Sequence, residues 1–291
     1  MYISTDTIES IETSIIELFD CHSSEIEEFS RSLYDGCFEN GIIDGVRIKQ
    51  KVSEFTIIRA RQQIDSVCLH HLSRRLVGSM DEENVCCNLA ELLLSNSPVA
   101  NFLKEHGIFF AKDAKIIHMY HNGIEIVPEF QSPASSRIKI RLGQSDYTQI
   151  DQCINGFAFA DRIKKAGYFL HLYRCPELIS DLAELLDFPL LAEDYKRSSN
   201  YFLYTFLLPI DMVIMSNEED ATRHKKENML LSECFYRLYD YYCEPDRSKW
   251  FDHGNIYMRI SDDVSLTEEH FQKRTRLDFQ ANERVSDDSD T

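Results

Sequence analysis

The chain has 291 residues, enough for one large domain or two small ones, and its 43% hydrophobic and 11% aromatic content supplies a core and excludes wholesale disorder. Its 49 acidic side chains against 31 basic ones leave a formal charge of -18. That balance argues against bulk nucleic-acid binding, which rests on Lys and Arg neutralising phosphates, and predicts a preference for a protein partner with a basic surface.

The first hundred residues read as helices. Asp6 with Glu9 marks a start, and Ile8, Ile11, Ile15, Leu18 and Phe19 fall on one face. Ser24 with Glu27 opens a second helix, which the turn residues Asp35-Gly36, Asn40-Gly41 and Asp44-Gly45 end. The spacing of Phe55, Ile58, Val67, Cys68, Leu72 and Leu76 predicts a long third helix, and Val85, Leu89, Leu92 and Leu93 a fourth. A short helix over Val99 to Glu105 ends at Gly107, a left-handed cap.

After Gly107 the period changes. Ile116 to Tyr120 and Ile124 to Val127 flank His121-Asn122-Gly123, a type I′ hairpin signal. Arg137 to Leu142 alternates as a strand with one wet face does, and Gly156 to Ala160 is short and strand-like. Helices are predicted at about 161–171 and 177–186. Tyr201 to Met215 reads as one or two central strands broken at Pro209, and Tyr195 to Asn200 as a polar loop before them. Leu230, Cys234, Phe235, Leu238 and Tyr242 make a last helix, and Ile256 to Ile260 a final strand. From about Asp262 to Thr291 acidic residues flank few apolar ones, so the tail is expected to lack packing. The fold class is α+β: a helical N-terminal layer (1–106) on a mixed β-sheet domain (107–260), with a disordered acidic tail (261–291).

No apolar run is long enough for a membrane span, and Met1 to Asp6 lacks the features of a secretory signal. Nine cysteines, an odd number in mostly apolar settings, read as reduced thiols in a cytoplasmic protein. Cys68-Leu69-His70-His71 and Cys86-Cys87 sit inside helical patterns, where a nucleophile would still need a base and an activating environment, so buried thiols are the reading. His118 and His121 form His-x-x-His and raise a metal-dependent hydrolase as one alternative. With no Cys-x-x-Cys knuckle to complete a ligand set, no metal is expected.

The segment Gly156-Phe157-Ala158-Phe159-Ala160-Asp161, running into a helix with Ala166 and Tyr168, resembles the second motif of the ADP-ribosyltransferase fold in its poly-ADP-ribose-polymerase-like form. The spacing to Tyr168 is one residue short of that pattern. The resemblance implies an NAD-consuming transferase of the toxin or defence-effector kind, in which a Tyr stacks on nicotinamide, a His on a preceding strand clamps the ribose and a later Glu stabilises the cation-like transition state. Carried over, Tyr168 is the stacking residue and Gly156 and Phe159 belong to the NAD site. His121 matches the upstream His, though Asn122 intrudes, and Glu218 or Glu219 takes the place of the acid. The other alternative is a non-catalytic interaction module working through its acidic surface.

Overall fold

The computed structural model describes residues 1–39, 42–78, 84–145, 150–243 and 254–278. In chain order these form β1 (Tyr2–Ile3), α1 (Ile8–Phe19), α2 (Ser23–Asp35), the short pair β2 (Phe38–Glu39) and β3 (Ile42–Ile43), α3 (Gly45–Arg59) and β4 (Ser66–Leu76). Next come α4 (Leu89–Leu94), α5 (Pro98–Glu105), β5 (Ile108–Asp113), β6 (Ile116–His121), β7 (Ile124–Ile126) and α6 (Pro133–Arg141). Then follow β8 (Asn155–Phe157), α7 (Gly167–Arg174), α8 (Glu177–Leu185), α9 (Pro189–Arg197), β9 (Ser199–Pro209), β10 (Ile214–Met215), α10 (Arg223–Cys243), β11 (Tyr257–Arg259) and β12 (Phe271–Arg276).

The fold is α+β. Its main sheet runs β10-β11-β8-β4-β9-β12, with β1 parallel to β4 and the other pairs antiparallel. The helices α1, α2, α3 and α10 bury Ile11, Ile15, Leu18, Ile26, Val52, Phe235 and Leu238 with the sheet residues Val67, Leu69, Tyr204 and Phe206 in the largest core. A second core joins the three-stranded sheet β5-β6-β7 to α5, α6, α8 and α9, and a third lies under α7 around Leu72, Phe169 and Tyr201. Among the described residues no helix is long and apolar enough to cross a membrane.

The hairpin turn forms at Asn122 (φ 51°) and Gly123 (φ 82°), Gly107 is left-handed at φ 76°, and Pro209 ends β9. Four expectations are corrected. The third helix stops at Arg59, and Ser66–Leu76 is instead the strand that pairs with β9 along its whole length. It is covered on both faces, so its apolar residues run on instead of alternating, and a short apolar run does not distinguish strand from helix. Residue 106 therefore does not separate a helical region from the sheet. Arg137 to Leu142 is not a strand: Ser132 caps α6 by accepting from Ser135 N–H at 3.2 Å, Pro133 is preorganised in the first turn, and Ala134, Ile138 and Leu142 are buried one turn apart. Tyr195–Arg197 closes α9 and is not a loop. Packing also continues past residue 262, because β12 adds to the sheet edge through Phe271–Phe206 and Arg276–Phe202. The expectation for Ser286 to Thr291 lies outside the described residues.

Candidate functional site

Strand β8 has three residues and meets β4 at Phe157 and His70. Beyond that row β4 continues to Leu76. A cavity of about 250 Å³ lies there, lined by His71, Ser73 and Arg75 of β4, by Cys153 and Asn155, and by Cys86 and Leu172 among others. Gly156 makes the β4–β8 approach possible: a Cβ on it would stand 2.5 Å from the His70 carbonyl oxygen. Its missing side chain is filled by β4 itself, and not by a ligand. Gly156→Ala is expected to cost about 1 to 3 kcal/mol, the usual penalty for overpacking, because the opposing atom is backbone and cannot rotate away. A denaturant midpoint equal to that of the parent protein would contradict this.

At the cavity, His71 Nδ1–H donates to the Asn155 carbonyl at 2.7 Å. A carbonyl only accepts, so the proton sits on Nδ1. The Cys86 thiol lines the same cavity and is the neighbour that most raises the imidazole. Arg75 lines the cavity with Cys86, donates to the Val85 carbonyl at 3.0 Å and packs over the Tyr204 ring at 4.8 Å. Residue 86 is held in place from outside: its N–H donates to the Leu266 carbonyl at 2.9 Å and its carbonyl accepts from Leu266 N–H at 2.8 Å. Asn88 N–H donates to Ser265 Oγ at 2.9 Å, and the Asn88 side chain caps α4.

Burial opposes the Cys86 thiolate, but the charges and hydrogen bonds of His71 and Arg75 outweigh it and bring the thiol down to about 7. Burial likewise disfavours the charged imidazole of His71, and the facing thiol and the Asn155 carbonyl overcome that and raise it. At Cys68 and Cys153 burial wins instead and pushes both thiols up to about 11; Asp151 and Asp262 add to the rise at Cys153 and outweigh Arg259.

The residues named from the sequence are dispersed. His121 ends β6 in the three-stranded sheet, where it faces Phe188 at 6.3 Å and bonds Asn122. His118 pairs with Glu125 at 2.7 Å on the same sheet. Tyr168 opens α7, is 66% exposed and leans on Phe157 at 5.9 Å between centroids. Phe159 is wholly buried in the core, with the Arg237 guanidinium 4.4 Å over its ring. Glu218 pairs with Lys225, and Glu219 with Arg259 at 2.6 Å. Among the described residues, no hydrogen bond, ring contact or cavity lining joins His121 to Tyr168 or either to those glutamates. Nor do three or more His, Cys, Asp or Glu side chains gather in a group that could hold a metal ion.

His71 and Cys86 lie only 15 positions apart in sequence, yet they meet only because residue 71 is in a strand and residue 86 is clamped by residue 266. The available sequence signal is weak: the polar break Ala60 to Asp65 before Ser66 and Gly78 after it bound a strand-length run. No family model matches the chain, and no match to a curated protein or a solved structure was found.

Proposed function

We propose that the protein is an NAD-consuming, ADP-ribosyltransferase-like enzyme in which His71, and not His121, clamps the ribose. The observation that carries this reading is the pairing of β4 with β8. The strand beside Gly156-Phe157 bears His71, and the cavity at its open edge takes in His71, Ser73 and Asn155. Tyr168 offers an exposed flat ring at the start of α7, and Leu172, one turn further along the same helix face, lines the cavity. Breaking the nicotinamide–ribose bond builds positive charge on the ribose, which a carboxylate stabilises; Glu177 and Asp151 are the acids in the lining.

The test is a calorimetric titration with NAD on the parent protein and on His71→Ala, His121→Ala and Tyr168→Ala. The parent is expected to bind. Loss of the Tyr168 ring is expected to weaken binding by about 1 to 3 kcal/mol, the scale of base–aromatic stacking, with an unchanged melting temperature because the ring is exposed. His71→Ala should weaken binding as well, and His121→Ala should leave it unchanged. Absence of binding heat in the parent, or equal loss in His71→Ala and His121→Ala, overturns the assignment.

A further inference from the structure

The cavity contains a group that NAD chemistry does not use. Of the nine free cysteines, Cys86 lines the cavity alongside the His71 imidazole and the Arg75 guanidinium. The imidazole is itself oriented by the Asn155 carbonyl, so base and orienting group are both in place. Cys86 is only 6% exposed, and its access to solvent is the cavity that it lines. A charged reagent entering there meets Arg75 and Arg141 beside Asp151 and Glu177, whereas a small neutral one meets Leu72, Ile154 and Leu172 as well.

We propose that Cys86 is a covalent modification site: a nucleophilic thiol, activated by His71 and Arg75, that reacts with small uncharged electrophiles and, in particular, with peroxide. In that reaction the sulfur attacks one peroxide oxygen, an S–O bond forms and the O–O bond breaks. The hydroxide that leaves takes a proton from the His71 imidazolium and departs as water. Sulfur is oxidised by two electrons to the sulfenic acid, and the peroxide is reduced. The inference stands apart from the NAD reading, since it needs no nucleotide.

Burial, His71 and Arg75 set the pH response of the thiol. The other charged groups facing the cavity are Arg74, Arg141, Asp151 and Glu177. Cys21 is an internal reference, because burial and Glu25 push its thiol up although it is more exposed than Cys86. The full chain is treated with iodoacetamide at pH 7, and each cysteine is followed by peptide mass spectrometry. A thiol brought down to about 7 is about half ionised there, against about one part in a hundred of an ordinary thiol, and the lower nucleophilicity of a more acidic thiol returns part of that gain. Cys86 is therefore expected to label about fivefold faster than Cys21.

Labelling of Cys86 should rise with pH through an inflection near 7. Hydrogen peroxide followed by dimedone should mark Cys86 ahead of Cys21. His71→Gln should reverse the order of the two cysteines at pH 7. Slower labelling of Cys86 than of Cys21 in the parent protein overturns the proposal without reference to any variant, as does an unchanged Cys86 rate in a folded His71→Gln protein.

Discussion

Arg237→Met is expected to destabilise the protein by about 3 to 5 kcal/mol, the cost of breaking a buried ion pair by removing one partner. Arg237 is 1% exposed on α10, bonds Glu233 one turn before it at 2.9 Å, and reaches across to the Asp161 carboxylate. Its guanidinium also covers the Phe159 ring. Methionine fills much of the volume but leaves two carboxylates facing each other in a space from which water is largely excluded. Next to it Arg162 pairs with Asp240 at 2.9 Å, so the change falls within a network and not on an isolated pair. Replacing Arg237 and Asp161 together, by Met and Leu, is expected to recover part of the loss, because the more buried of the two uncompensated carboxylates then disappears and only Glu233 remains. Urea midpoints of the two single variants and the double variant decide the matter. A single Arg237→Met variant with the stability of the parent protein would show that the pair is not the constraint described.

The second large effect is a dependence of stability on pH carried by His70. The ring lies fully buried on β4, with Nε2 3.0 Å from Thr5 Oγ1 and Nδ1 3.1 Å from Thr205 Oγ1. Burial lowers its pKa to about 4; Asp6, 3.9 Å away, opposes this, and Lys273 and Arg237 reinforce it. In the unfolded chain the imidazole takes up a proton as the pH falls through about 6.5, and in the folded protein it does not until about 4. Stability from this group is therefore complete above about pH 6.5. It declines as the pH falls from there to about 4 and then levels off, by about 3 kcal/mol in all. His70→Gln keeps polar atoms for the two threonines and removes the titration, so its stability should change much less over that window. Parallel urea titrations at pH 7, 6, 5 and 4.5 test this, and equal slopes for parent and variant would remove the assignment.

Legibility in the sequence follows a physical pattern. Where the determinant is local, the residues suffice. Asn122-Gly123 adopts the left-handed angles its turn requires, and the stripe of Leu230, Cys234, Phe235 and Leu238 lies on the buried face of α10. Where the determinant is a distant neighbour, they do not. Ser66–Leu76 is a strand because β9 and β8 lie on either side of it, a fact that no window of eleven residues contains. Arg137 to Leu142 shows the reverse case, since its alternation reads as period 2 until the capping Ser132 and Pro133 are given more weight.

The candidate site was hidden for the same reason. Its base lies on that misassigned strand, and its thiol is placed by a contact with Leu266 in a segment read as unpacked. Asp161 and Phe159, which carry part of the motif resemblance, are held by Arg237 in the core, so a motif position can be satisfied by structure as well as by ligand.

The order of the strands also sets a timetable for synthesis. Strand β4 is among the first sheet residues to leave the ribosome, yet its longest partner is β9, with Arg74 bonding Ser199 across 125 positions of chain. At roughly 5 to 20 residues per second, β4 waits about 6 to 25 s with its long edge open and its apolar faces uncovered. Helices α1, α2 and α3 are complete early, but the α10 layer that buries them arrives later still. During this interval the nascent chain exposes a strand edge of the kind that pairs with other chains, and a slower ribosome or a warmer cell lengthens or aggravates that exposure. The eleven residues of that strand complete their pairing only once the partner strand exists.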